Sequence, residues 1–310
     1  MARRARVRAL AKINLDLRVL AKRPDAYHEL RTIFQTISLA DTLDIAFMPG
    51  RKVAIEIDDP LGIPGNLAVQ AAELALEAIG ATGRVQIRLA KRIPMGAGLG
   101  GGSSDAAAVL LALPPLAGRP VEMLRLYRAA AALGSDVPFF LLGGTAVGIG
   151  RGAELFPLPD RGPQTGLLVA PGVPVSTAEA YRRLSPRLTT ESQQNKIVTF
   201  QSLWWDGGVG EAARNDFETV VFQQVPRLAR LKKRLLAAGA SRALMTGSGS
   251  ALFGFFRSGA EASRARHALE GENAWRFSLV SRARYRAMWW RALKEHIDQR
   301  TWPPQSRYAR

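Results

Sequence analysis

Residues 94–104 constrain the fold of this chain most: Pro94, Met95, Gly96, Ala97, Gly98, Leu99, Gly100, Gly101, Gly102, Ser103 and Ser104 make a glycine-rich loop. They run without a break into an alanine- and leucine-rich segment ending at Leu113. Side chains this small let backbone N–H groups approach an anion, and a helix starting at the loop's end adds unpaired N–H groups and a positive dipole end. The abrupt passage from loop to helix favours a phosphate cradle over a flexible linker. The loop matches G-x-G-x-x-G at Gly96, Gly98 and Gly101, but Pro114–Pro115, expected to stop the helix, speak against the crossover of a dinucleotide-binding fold. Gly102 follows Gly101 where a Walker A loop would place its lysine.

Composition limits the chemistry around this loop. The 310 residues include no cysteine and only His28, His267 and His296, which removes disulfides, thiol nucleophiles and most zinc sites. Carboxylates, lysines, hydroxyls and backbone must do the work. The chain is long enough for one large or two ordinary domains, and 47% hydrophobic content supplies their cores. No apolar run is long enough to span a bilayer or to serve as a signal-peptide core, so a cytoplasmic protein without a membrane partner is expected. A net charge of +17 suits either nucleic acid or anionic small substrates. Arginines spread along the whole chain, without any common nucleic-acid-binding signature, favour the second.

Short β-rich runs (Val7–Leu20, Thr32–Ile37, Val53–Ile57, Val85–Leu89) alternate with helical patterns at Leu67–Ile79 and Val121–Leu133, which predicts an α+β domain. Gly134 is expected to close the second helix as a left-handed residue, leaving Asp136 in a connection. The loop-rich Pro157–Gly166 predicts a domain boundary. Beyond it we expect a strand at Leu167–Val169, helices at Ala178–Leu184 and Arg227–Ala238, a strand pair flanking Gly247–Gly249, and a strand at Arg276–Val280. The limits are therefore an N-terminal domain 1–160, a C-terminal domain 161–281 and a basic tail 282–310. Arg284–Leu293 in the tail reads as an amphipathic helix. Truncation after about Trp290 should cost little if this arginine-rich end is dispensable.

Residues 94–107 resemble the ATP-binding loop of the GHMP kinases. Five further segments agree, in family order: Ala11–Lys12–Ile13–Asn14–Leu15, Tyr27–His28–Glu29–Leu30, Leu133–Phe140 around Asp136, Asn215–Glu218 and Gly247–Ser250. The matches extend from about Ala11 to Val280, and they are most similar to a member of the family that acts on a cytidine-diphosphate alcohol. The resemblance implies an α+β, two-domain fold with the active site in the cleft between domains. ATP would be the phosphate donor, Mg2+ would accompany it, and the acceptor would be the tertiary 2-hydroxyl of a cytidine-diphosphate methylerythritol in isoprenoid biosynthesis. Other GHMP alcohols, such as homoserine, mevalonate or a sugar, are the alternative, against which the Tyr27–His28 segment speaks.

Residue roles follow from the same resemblance. Asp136 matches a catalytic aspartate that takes the proton of the attacking hydroxyl, and Lys12 matches the lysine beside it. A positive neighbour favours an ionised carboxylate and steadies charge during phosphoryl transfer. The bland alternative is an N-capping Asp136 and a solvated Lys12. Tyr27, His28 and Asn14 fall in substrate-binding segments, and Thr177 and Tyr181 are expected across the cleft, Tyr181 as a second stacking aromatic. Asn66 and Lys91 resemble residues near the nucleotide's base and ribose. Mg2+ would rest mainly on phosphates and water, with Ser104 the one candidate side chain. Ala26 and Ala97 stand where the family usually has glycine, and either would be strained if its φ is positive.

Overall fold

The computed structural model describes residues 2–23, 25, 27–185 and 213–308. Ala26, with its expected strain, lies outside them. Two long antiparallel strands, β1 (Arg3–Lys22) and β2 (His28–Pro49), form the spine. Residues 4–8 of β1 alternate between exposed and buried, as a strand with one solvated face does, but residues 9–19 are buried on both faces. That stretch carries helices on one side and a second sheet on the other.

The first sheet runs β3 (Ala54–Asp58), β4 (Gly83–Ala90), β2, β5 (Thr145–Gly150), β6 (Glu154–Pro157), with β1 paired to β2. The parallel pair β3–β4 is joined through α1 (Leu67–Ile79), the helix that a parallel connection needs. The small faces Ala68, Ala71, Ala72 and Ala75 let α1 pack closely on α2 (Gly101–Ala117). With α3 (Met123–Leu133) and α4 (Val137–Leu142), these helices cover one side of the sheet. The second sheet is antiparallel throughout, in the order β10 (Ala274–Ser278), β7 (Thr165–Val169), β9 (Leu252–Phe256), β8 (Arg242–Met245). It is covered by α5 (Thr177–Leu184), α6 (Glu218–Gln224), α7 (Pro226–Ala237) and α8 (Gly259–Ala268). A third core, with Ile13, Ile33, Ile37, Phe253 and Phe277, fills the space between the sheets. Single bridges from Leu17 to Asn215 and from Ile37 to Leu279 join them further.

Three expectations change. The glycine-loop helix does not stop at Pro114–Pro115; it continues to Ala117 and ends at Gly118, whose N–H reaches the Pro114 and Pro115 carbonyls from a left-handed conformation. Each proline removes one i→i−4 bond, which a last turn can lose without breaking. Gly134 ends α3 in an extended conformation (φ 160°, ψ 159°), not a left-handed one, because the chain must leave straight for Asp136. The tail is no loose appendage. Its helix α9 (Arg282–Ala292) returns to the first sheet and buries Tyr285 and Trp289, and Leu293 and Ile297 beyond it are buried in the same core.

Candidate active site

A cleft of about 950 Å³ opens between the two sheets, lined at its centre by Lys12, Asn14, Asp136 and the glycines 96, 98 and 100. Lys12 and Asn14 share one face of β1, two residues apart, while Ile13 and Leu15 on the other face anchor the strand in the core. Lys12 Nζ lies 3.3 Å from Asp136 Oδ2, with the lysine side chain 4% exposed and the aspartate 33%. Phe34 puts its ring 5.2 Å from the same ammonium. Asp136 occupies the N-cap position of α4, yet its carboxylate makes no capping bond. The bland reading of this residue therefore fails: the carboxylate faces the lysine and the cleft.

Asn14 ties this pair to the second sheet. Its Oδ1 accepts from Lys12 Nζ at 2.9 Å and from the Gly247 N–H at 2.9 Å, and its Nδ2 donates to Thr32 Oγ1 at 2.7 Å. The glycine loop is held from two sides. Lys12 N–H donates to the Leu99 carbonyl at 3.0 Å, and Ala251 N–H to the Ala97 carbonyl at 3.2 Å. Positive φ falls on Gly96 (63°), Gly98 (79°) and Gly100 (68°), flanking Ala97 and Leu99. At Gly100 a methyl group would also lie 2.9 Å from the Phe140 ring and 3.2 Å from Lys12 Cγ, so no larger residue fits. The loop thus delivers the start of α2, with its unpaired N–H groups, to the cleft.

The far end of the cleft is aromatic. Tyr181 stacks on His28 (centroids 4.6 Å, planes 20° apart) and meets Phe217 edge-on at 4.7 Å. His28 Nε2 and Ser185 Oγ are 2.6 Å apart, and burial, with Lys22 nearby, holds the imidazole below its usual pKa and hence neutral near pH 7. Burial and the Asp136 charge push the Tyr181 phenol above its usual value. Tyr27 is 55% exposed, with the Arg151 guanidinium 3.7 Å above its ring. Arg151 in turn pairs with Asp25 at 2.8 Å and so pushes that carboxyl down to about 2. Thr177 Oγ1 and Ser248 Oγ are 2.7 Å apart, both on the C-terminal side of the cleft.

Lys12, Asn14, Tyr27, His28, Asp136, Thr177 and Tyr181 are thus brought together, but other sequence candidates are not. Asn66 caps α1, accepting from Ala68 N–H at 3.0 Å, and does not line the cleft. Lys91 is buried between Asp41 (2.5 Å) and Asp105 (2.7 Å). Ser104 is buried and donates to the Leu10 carbonyl at 2.7 Å, which takes it away from any ion. Met95 is exposed beside the loop. Sequence reasoning missed Lys22, Arg151 and Arg182, three cations lining the aromatic end. One basic residue among the 43 carries no local mark.

Known proteins resemble this chain along most of its length. The model of the GHMP kinases N terminal domain matches residues 66–144, and that of the GHMP kinases C terminal region matches residues 206–274. A 4-diphosphocytidyl-2-C-methyl-D-erythritol kinase of Solibacter usitatus is 64% identical over 99% of this chain and 98% of its own. A kinase of the same description from Geobacter metallireducens is 40% identical, covering 89% of this chain and 98% of its own. A crystal structure of 4-(cytidine 5'-diphospho)-2C-methyl-D-erythritol kinase superposes with a TM-score of 0.74 at 39% identity, over 90% of this chain and 99% of that one. A homoserine kinase from Cytophaga hutchinsonii shares the fold alone, at TM-score 0.69 and 18% identity over 90% of this chain and 95% of its own.

Proposed function

This chain belongs to the GHMP kinases, in the branch of the 4-diphosphocytidyl-2-C-methyl-D-erythritol kinases, and on that premise we propose that it phosphorylates the tertiary 2-hydroxyl of 4-diphosphocytidyl-2-C-methyl-D-erythritol. ATP is the donor and ADP leaves; the step belongs to the methylerythritol phosphate route to isoprenoid precursors, and we place it in the cytoplasm. The observation that carries the reading is one cleft holding three parts: the glycine loop, the Lys12–Asp136 pair and an aromatic, cationic end. A nucleotide-diphosphate alcohol needs all three.

In this reading the polyphosphate lies along Gly96–Gly102 at the start of α2. The acceptor hydroxyl oxygen attacks the γ-phosphorus while its proton passes to the Asp136 carboxylate. Lys12 balances the charge that develops on the transferring oxygens. A tertiary alcohol is hindered, so most of the rate comes from holding it in line. The described residues contain no cluster of three or more acidic or histidine side chains for a cation. Mg2+ would therefore ride on the nucleotide's phosphates and water, supplying charge neutralisation there.

The cytidine belongs at the aromatic end. Tyr181 already has His28 on one face, so the platform left for a base is the Tyr27 ring, steadied from its other side by Arg151. We expect the protein to phosphorylate the cytidine-diphosphate form of methylerythritol and to ignore free methylerythritol, in an assay that follows ADP. Equal activity on the two alcohols would overturn the cytidine assignment. Tyr27→Ala should remove a stacking partner worth about 1–3 kcal/mol, raising KM for the alcohol by roughly 5- to 150-fold with KM for ATP nearly unchanged.

A further inference from the structure

Beneath the glycine loop lies a buried cluster that the phosphoryl transfer does not use. Asp41 on β2 receives the backbone N–H groups of Arg92 and Ile93 on Oδ1, at 2.5 and 2.8 Å, and Lys91 Nζ on Oδ2 at 2.5 Å. Lys91 Nζ also donates to Asp105 Oδ2 at 2.7 Å. All three side chains are at least nine-tenths buried. Lys91 comes just before the loop and Asp105 just after it, so the cluster fastens the loop's two ends to each other and to β2. A methyl on Gly101 would lie 3.2 Å from Lys91 Nζ, which places the ammonium beside the first residue of α2.

The charges do not balance. Two carboxylates face one ammonium, and the remaining oxygen, Asp105 Oδ1, is buried with no hydrogen-bond partner. A buried carboxylate oxygen left without a donor is costly, and a second charge of the same sign beside it adds to the cost. Little else nearby corrects the deficit. Asp59, in the loop before α1, is a further acid within reach of the Lys91 charge. The α1 face toward α2 is alanine, and Lys12 on β1 belongs to the cleft, packed on Gly100. A net negative cluster at the start of α2 would repel the polyphosphate that this terminus is shaped to attract.

We propose that Asp105 is a positioning residue that works as a neutral acid, sharing a proton with Asp41, so that nucleotide binding at the glycine loop is linked to proton uptake. The inference rests on the reading of the loop as the ATP site. It makes Lys91 an anchor of the loop, in place of a direct ligand of the nucleotide. Asp105 is pushed up to about 7, first by burial and then by the Asp41 charge. The proton is therefore held below neutrality and lost above it. Loss leaves the cluster at net −1, which weakens ATP binding as pH rises.

The test is calorimetric titration with ATP in buffer pairs of different ionisation enthalpy, between about pH 6 and about pH 8.5. Wild-type affinity should fall roughly 5- to 10-fold across this range, with protons taken up on binding above neutrality. Asp105→Asn and Asp41→Asn each keep the shape and leave one carboxylate for Lys91. Their affinities should vary less than about twofold relative to the nucleotide's own ionisation, which is common to all three proteins. KM for the alcohol should follow the same pH profile in all of them. A carboxyl raised in the folded state also loses its stabilising contribution as pH rises through about 7, so Asp105→Asn should gain Tm over wild type on the alkaline side. Parallel ATP profiles with equal proton uptake would overturn the inference alone. Failure of the wild-type protein to bind ATP at every pH would overturn the ATP site, and the inference with it; a folded Asp105→Asn protein that alone failed to bind would overturn the inference and leave the site standing.

Discussion

Asp136→Asn is expected to lower turnover by roughly 10²–10⁴-fold, the usual contribution of a positioned general base. The substitution keeps the size of the side chain and most of its hydrogen bonding, but removes the negative charge and the capacity to accept a proton. No helix cap is lost, because the Asp136 carboxylate makes no capping bond to α4, and the Lys12 ammonium keeps its bond to Asn14 Oδ1. Affinities for ATP and for the cytidine-diphosphate alcohol should change little, since the glycine loop and the aromatic end hold them. Lys12→Ala should also cut turnover, and it removes the 3.3 Å contact to Asp136. If the two act as one unit, the double variant will be far less than multiplicatively worse. Single-turnover rates on proteins shown folded by circular dichroism decide this. A folded Asp136→Asn enzyme of near wild-type rate would remove the aspartate from proton transfer and leave catalysis to positioning and charge alone.

Much of this site is legible in sequence because its parts are local. A glycine loop running into a helix has a strong signature, and α1 falls at Leu67–Ile79 as its apolar pattern predicts. The two-domain α+β fold likewise follows from ordered motifs, with Lys12 and Asn14 on one strand face and Asp136 in a connection before α4. What the sequence hides is partnership across distance. Lys91 resembles a residue near the nucleotide's base and ribose, and only the return of β2 and the first turn of α2 shows it paired with Asp41 and Asp105, 50 and 14 residues away. Tyr181 looks like one wall of a base clamp, but His28 already covers one of its faces. Arg151 carries no local pattern and becomes visible only when β5 brings it over Tyr27.

The tail shows the same limit from the stability side, and it sets the other large expectation: truncation after Trp290 should leave a protein that is poorly folded and correspondingly inactive. Arginine-rich composition suggests a dispensable end, yet what is removed includes Leu293 and Ile297 from the main core. It also includes Trp302, whose Nε1 donates to the Leu141 carbonyl at 2.9 Å, and Ser306, whose Oγ donates to the Pro115 carbonyl at 3.1 Å. His296 Nε2 lies 2.9 Å from the Arg4 carbonyl, and the Arg3 guanidinium sits 4.0 Å over the Tyr308 ring, so the open edge of β1 is covered from the same segment. Each buried aliphatic or aromatic side chain lost costs about 2–5 kcal/mol, and a domain has only about 5–15 kcal/mol in all. The damage should reach the chemistry. Tyr285 OH donates to the Phe140 carbonyl at 2.5 Å, and Trp302 meets the Tyr285 ring at 6.1 Å while holding the next carbonyl of α4, the helix that Asp136 begins. Trp302→Ala alone is therefore expected to lower kcat more than either KM, with a smaller loss of Tm than the truncation gives. Thermal melts and kcat for the two proteins check this: a truncated chain that melts and turns over like the full one would mean that α4 keeps Asp136 in place unaided.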